Sequence, residues 1–311
     1  LLASTPAFGV LLEVEVRDLP RDAARDAIQA AGAEVAEVER LTDPGRPDGE
    51  LASLNAAAGK GPRHVDARLY AGLEKALNFC LWSEGKEGPL ARDLYRLWGR
   101  GTGAPLAAPP AGDLLDKAVE AASCRHLLLD GRQHTASLAA GAALDLVDFR
   151  LGMAVDRAID VLRQHGAANA FVKIGPLRRG IGGGRAGHGW QVDLPALGGL
   201  REPLGRIFLR DQALALAEIA EQPLRVGDAA LSPYIDQRSG QPSDGVFATL
   251  AATELATDAQ ALAATMAVVG TREGEMLMGS IRPRPSILWL MGSGSGIPLL
   301  VEYRWSDLPK R

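Results

Sequence analysis

From Val10 to Val16 the chain alternates. Leu12, Val14 and Val16 lie on one side, Glu13, Glu15 and Arg17 on the other, which predicts a strand with one wet face. The period then changes. Ala24, Ile28, Ala31, Val35 and Val38 recur at three and four, an amphipathic helix that stops before the turn formers Thr42 to Gly49. Leu69, Leu73, Leu77 and Cys80 form a second helical stripe, and Pro89 to Trp98 predicts a shorter helix with Pro89 near its first turn. Apolar runs on either side of Asp130-Gly131, from His126 to Leu129 and from Gln133 to Leu138, predict a hairpin. Leu151, Val155, Ile159 and Leu162 give another helix, ended by Gly166.

Ala168 to Ile174 predicts a buried strand. It runs through Gly175-Pro176 into a flexible Gly180 to Gly189 segment, after which Trp190 to Leu194 resumes alternation. Further strands are expected near Arg206 to Leu209, Val246 to Ala251, Glu275 to Met278, Ile287 to Met291 and Pro298 to Tyr303. An Ala-rich helix from Asp258 to Val269, closed by Gly270, falls between the second and third of these. Hairpins interrupt the alternation of strands and helices, so a mixed α/β, α+β layered architecture fits better than a plain βαβ repeat. Residues 101–112, rich in Gly, Ala and Pro, predict an internal loop.

Composition narrows the classes. A chain of 311 residues with 34 Lys and Arg against 38 Asp and Glu is not a basic nucleic-acid module, so no nucleic-acid partner is expected. Two cysteines, Cys80 and Cys124, exclude a disulfide scaffold. Cys80 falls on an apolar helical stripe, which favours unpaired core cysteines over a disulfide between the two. Apolar runs such as Ile287 to Met291 are far shorter than the roughly 20 residues of a membrane span, so no transmembrane segment is expected. The chain begins with Leu1 rather than Met, which leaves room for an upstream signal.

The five histidines (His64, His126, His134, His165 and His188) are not paired at helical spacing. His165, just before the Gly166 stop, suits a helix C-terminus, and His188 reads as a loop residue. Gly180 to Gly189 lacks the Gly-Lys-Ser/Thr ending of a phosphate loop and precedes a strand, so it reads as a hairpin connection. Asp145, Asp148 and Asp156 are candidate Mg ligands. Asp148 also suits the cap of the helix carrying Leu151, and Asp156 suits a bond to Arg157 or to backbone across a loop.

Four blocks in order give a resemblance. They are Gly49-Glu50-Leu51-Ala52-Ser53-Leu54-Asn55; Ser83-Glu84-Gly85 leading to Leu97-Trp98-Gly99; Leu144-Asp145-Leu146 through Gly152 to Ala158; and Ile235-Asp236-Gln237-Arg238-Ser239-Gly240-Gln241-Pro242. With these the chain resembles the bacterial FAD:protein FMN transferase family, known as the ApbE or thiamine-biosynthesis-lipoprotein family. The resemblance implies T-fold-like layered sheets with helices, in one domain over 1–311 with two lobes around a cleft, divided near the 101–112 loop. It also implies a periplasmic or membrane-anchored place outside the cytoplasm, a flavoprotein or accessory protein partner, FAD as cofactor, and Mg-assisted transfer of FMN onto a Thr or Ser hydroxyl. Cofactor contacts would fall on Glu50, Ser53, Asn55, Ser83, Gly85, Gly175, Asp236 and Arg238.

The departures from the family pattern sit at its chemistry. The family lysine falls at Leu151, two glycines become Val147 and Asp148, and a Phe-Asp pair becomes Glu87-Gly88. A histidine becomes Pro233, a proline becomes Gln237, and Asn-x-Gly-Gly-Asp becomes Lys173 to Leu177. The metal Asp and Thr of an i,i+4 pair become Gln260 and Ala264; an amide is a poor Mg ligand and Ala is none. The expectation is a family-like fold with FMN transfer lost or much reduced, no tightly bound cofactor, and a binding or accessory role. Two alternatives stand beside it. One is an active transferase using Asp145, Asp148 and Arg150; the other is a structural module without flavin.

Overall fold

Eight strands form one sheet whose spatial order follows the chain: Leu2–Ala7, Val10–Val16, Ala170–Ile174, Leu177–Ile181, Gln212–Glu218, Val246–Thr253, Ser286–Met291 and Leu299–Tyr303. Every neighbouring pair is antiparallel. The computed structural model describes residues 1–292 and 298–310. Among the described residues seven α-helices accompany the sheet: α1 (Arg21–Thr42), α2 (Glu50–Ala56), α3 (Ala67–Trp82), α4 (Arg92–Leu97), α5 (Gly112–Ala121), α6 (Arg150–Gln164) and α7 (Ala256–Met278). The first six occupy the long excursion between the second and third sheet strands.

One face of the sheet carries the helices. Helix α1 packs on α6, α6 on α7, and α7 on the strands Gln212–Glu218 and Val246–Thr253. The principal core lies here and includes the α1 stripe (Ala24, Ile28, Ala31, Val35, Val38), the α6 stripe (Val155, Ile159, Leu162), and Leu12, Val14 and Val16 from the sheet. On the opposite face a smaller cluster covers the later strands and reaches Phe171 of Ala170–Ile174, which stacks on Trp190. There the hairpin Trp190–Leu194 and Gly205–Leu209 packs with Trp305 on Leu214, Leu250, Leu288 and Leu290. Strands buried on both faces have no polar side to alternate with, hence the continuous run Ser286–Met291. A third apolar cluster joins α4 and α5 through Leu94, Tyr95, Trp98, Leu115 and Ala118.

Several expectations change. Gly270 takes φ 66° and kinks α7 without ending it, so Glu275 to Met278 continue as helix rather than forming a strand. Leu177–Ile181 is a sheet strand, so the glycine-rich connection is shorter than expected, and the loop after residue 101 yields to α5 at Gly112. Pro89 precedes α4 instead of lying in it. Cys80 and Cys124 are bonded to each other, with Cα atoms 5.9 Å apart across a sequence separation of 44. The stripe position of Cys80 was real, for it is fully buried, but its sulfur faces the segment after α5. No helix among the described residues is long and apolar enough to cross a membrane.

Candidate functional site

The crossing of α6 and α7 is set by two residues. A Cβ on Gly152 would stand 2.4 Å from the Thr257 Cα, so only glycine admits this approach. One turn along α6, the Asp156 carboxylate accepts from Ala256 N (2.7 Å), Thr257 N (2.9 Å) and Thr257 Oγ1 (2.7 Å). An anion at the α7 N-terminus satisfies free N–H groups and suits the helix dipole. Arg179 donates to the same carboxylate at 2.6 Å. Asp156 therefore caps α7 from another helix. The backbone partner foreseen for it is there; Arg157 pairs instead with Glu34 at 2.8 Å.

With that register locked, Gln260 spans the gap between the helices. Its Oε1 accepts from Gly152 N at 2.7 Å and its Nε2 donates to Val147 O at 2.9 Å. Beside this clasp a cavity of about 80 Å³ collects Asp148, Leu151, Pro176, Leu177, Gln260 and Ala264. Six of the positions where the sequence departs from the family pattern thus converge in space.

Asp148 does not cap α6, whose N-cap Phe149 makes no side-chain bond. It turns instead to Arg100, which donates to both of its oxygens at 2.7 Å, and to the Tyr95 hydroxyl at 3.1 Å. Arg100 stacks over the Tyr95 ring, its Cζ 4.3 Å from the centroid. Gln237 Nε2 donates to Glu87 Oε1 and to Gly88 O, each at 3.1 Å, closing a buried polar cluster between the main core and the α4–α5 cluster. Burial first, and then the Asp148 charge, push the Glu87 carboxyl well above its ordinary range. Burial raises the Tyr95 and Tyr234 hydroxyls too.

The other expected site residues disperse. Asp145 accepts from Val147 N at 3.0 Å and stands 3.7 Å from Arg92; burial raises its pKa against the pull of Arg150, Arg100 and Arg92. Arg150 lies over the Phe8 ring, so the three catalytic candidates Asp145, Asp148 and Arg150 face different partners. Glu50 receives Asp66 N, Ser53 is exposed, and Asn55 bonds both the N–H and C=O of Leu144, holding the loop that carries Asp145. Gly175 turns the hairpin between two sheet strands at φ 52°. Ser83, Gly85, Asp236 and Arg238 meet elsewhere: Gln237 N donates to Lys86 O at 3.1 Å, joining their two blocks near the disulfide. Sequence reasoning missed Arg100, Tyr95 and Tyr234. The signal available for Arg100 was its place directly after Trp98-Gly99.

Among the described residues no group of three His, Cys, Asp or Glu side chains is placed to hold a metal ion. The clasp leaves Gln260 with both polar atoms engaged, and 80 Å³ is well below the roughly 300–1,000 Å³ of a small-molecule site. As it stands this cleft is too small for FAD, and its Asp148 carboxylate is already taken by Arg100.

Fold and site together define a layered α+β protein with an interhelical cleft. The ApbE family model matches residues 8–288, and the chain belongs to the ApbE family. It is 28% identical over 299 residues to an FAD:protein FMN transferase of Rhodobacter capsulatus, covering 93% of this chain and 55% of that protein. A second FAD:protein FMN transferase, from Treponema pallidum, is 36% identical over 143 residues, 44% of this chain and 39% of its own length. The matches thus span about half the length of these curated relatives or less. Among solved structures, the ApbE protein of Thermotoga maritima superposes with a TM-score of 0.86 at 19% identity, covering 100% of this chain and 99% of that one. The flavin transferase ApbE of Vibrio cholerae gives 0.84 at 22%, covering 97% and 96%. At these identities the likeness establishes the shared fold.

Proposed function

We propose that this chain is a divergent ApbE-family protein in which flavin transfer is lost or much reduced, acting as a binding or accessory protein for a flavoprotein or its partner. The carrying observation is the Gln260 clasp, a neutral amide bonded at both ends where the family pattern places a metal carboxylate. Phosphoryl transfer needs cationic neutralisation of charge on phosphate oxygens. Leu151 offers none, and the nearby Arg100 guanidinium is already bonded to both Asp148 oxygens. The unit acts as one domain whose α4–α5 lobe closes on the main core through the Arg100 cluster. A disulfide between the only two cysteines supports a place outside the cytoplasm, where such bonds persist.

A second reading, an active Mg-dependent FAD:protein FMN transferase, draws on the similarity to the Rhodobacter capsulatus protein over 93% of this chain. One experiment separates the two. Purified protein is incubated with FAD, Mg and a flavoprotein acceptor, and intact masses are read. The first reading expects unmodified acceptor. An FMN adduct that disappears with Asp145→Ala would establish the second.

A further inference from the structure

Outside the cleft, the two retained sequence blocks build a pocket of their own. A cavity of about 340 Å³ is lined by both cysteines of the disulfide together with Glu84, Gln237 and Arg238. Its walls come from Glu84 and Gly85, from Gln237 and Arg238, and from the end of α5 at Val119 and Glu120 with Ser123 just beyond it. Glu84 is largely solvent-facing and stands 3.7 Å from Lys86, while Arg238 is about half exposed and meets both Asp236 oxygens at 3.4 and 3.5 Å. Gln237 is buried, and its Oε1 finds no donor among the described residues.

We propose that this pocket is a thiol–disulfide exchange site for a small thiol carrying both a carboxylate and an ammonium group. Arg238 pairs with the carboxylate and Glu84 with the ammonium. Cys80 is fully buried and Cys124 half-buried, so the Cys124 sulfur is the one open to attack. The incoming thiolate bonds to Cys124 Sγ, the Sγ–Sγ bond breaks, and its electron pair leaves with Cys80, which takes up a proton. A second equivalent of the thiol, as thiolate, attacks the incoming sulfur of the mixed disulfide. That step yields the small-molecule disulfide and leaves Cys124 as a second thiol, so two electrons pass from two thiols to the protein. Cys80 sits at the C-terminal end of α3, where the helix dipole disfavours a thiolate, so it leaves slowly and, once protonated, returns slowly to the mixed disulfide until the second thiol attacks.

The release has somewhere to act. The Cys80 carbonyl accepts from Gly85 N at 2.7 Å, and the same turn continues into buried Lys86 and Glu87. The proposal is independent of whether FMN transfer is retained. To test it, the oxidised protein is treated with cysteine or with 2-mercaptoethanol, quenched with acid, and mapped by peptide mass. The expected result is an adduct on Cys124, formed at least tenfold faster by cysteine than by 2-mercaptoethanol after correction for thiolate fraction. That preference should fall to near unity in Arg238→Gln and in Glu84→Gln, with unchanged melting temperatures. Equal rates in the wild type, an adduct on Cys80, or no exchange without denaturant would overturn it.

Discussion

Burial and the Asp148 carboxylate raise Glu87 well above the ordinary carboxylate range, and the sign of the effect on stability follows. The folded state binds this proton more tightly than the unfolded chain. The associated stability is therefore complete below the unfolded value near 4.3 and is lost as pH rises through the folded value, at about 1.4 kcal/mol per pH unit in between. Glu87→Gln keeps an acceptor for Gln237 and has no proton to lose. The gap in melting temperature between this variant and wild type should widen as pH rises above about 4.3; a constant gap would place the titration elsewhere. Gln260→Ala leaves Gly152 N–H and Val147 C=O without partners and should cost ~1–3 kcal/mol in urea denaturation. Sequence reading could see that Gln260 is no metal ligand. Its new partners lie 108 and 113 residues away, a distance no local pattern spans.

Helices α1 and α6 were legible because each has one buried face and therefore a clean period. Helix α7 was legible only to Gly270, since glycine with positive φ is a stop signal and here makes a kink. The kink lets Glu273 reach buried Lys86 at 2.5 Å. The strand Gln212–Glu218 went unread because Ala and Leu alternate on two covered faces with no β-branched residue to mark them. At this scale the Asp156–Arg179 pair joins three elements. Asp156→Ala should cost about 3–5 kcal/mol, because it strands a buried guanidinium as well as uncapping α7. The disulfide closes a loop of 44 residues, for which chain entropy gives ~4 kcal/mol; comparing urea midpoints of oxidised and reduced protein measures it. A difference under about 1 kcal/mol would mean that the reduced chain already holds α3 against the α5–Cys124 segment.

For the molecule as a whole, restoring the family groups tests whether the cleft merely lost its chemistry. Leu151→Lys, Gln260→Asp, Ala264→Thr and Asp148→Gly together return a cation, both metal ligands and one glycine. The cleft of about 80 Å³ has no room for the flavin, and removing Asp148 leaves Arg100 unpaired. The expected outcome is no FMN adduct by intact mass and a melting temperature lower by on the order of 10 °C. An adduct would show that the chemical groups alone were missing. The layered α+β architecture was readable from the alternation of strand and helix signals with hairpins, but the sheet order was not, because it depends on pairing across the whole chain. That order carries a consequence for synthesis. Glu13 meets Lys173, 160 residues later. As the chain is made N-terminus first, the Val10–Val16 edge of its opening hairpin stays bare while those residues are made, roughly 8–30 s at ordinary translation rates. A naked strand edge invites pairing with a neighbouring nascent chain. Glu13 on that strand acts as a gatekeeper: two such hairpins meeting edge to edge bring its carboxylates together, and the late-arriving Lys173 and Arg178 relieve that charge.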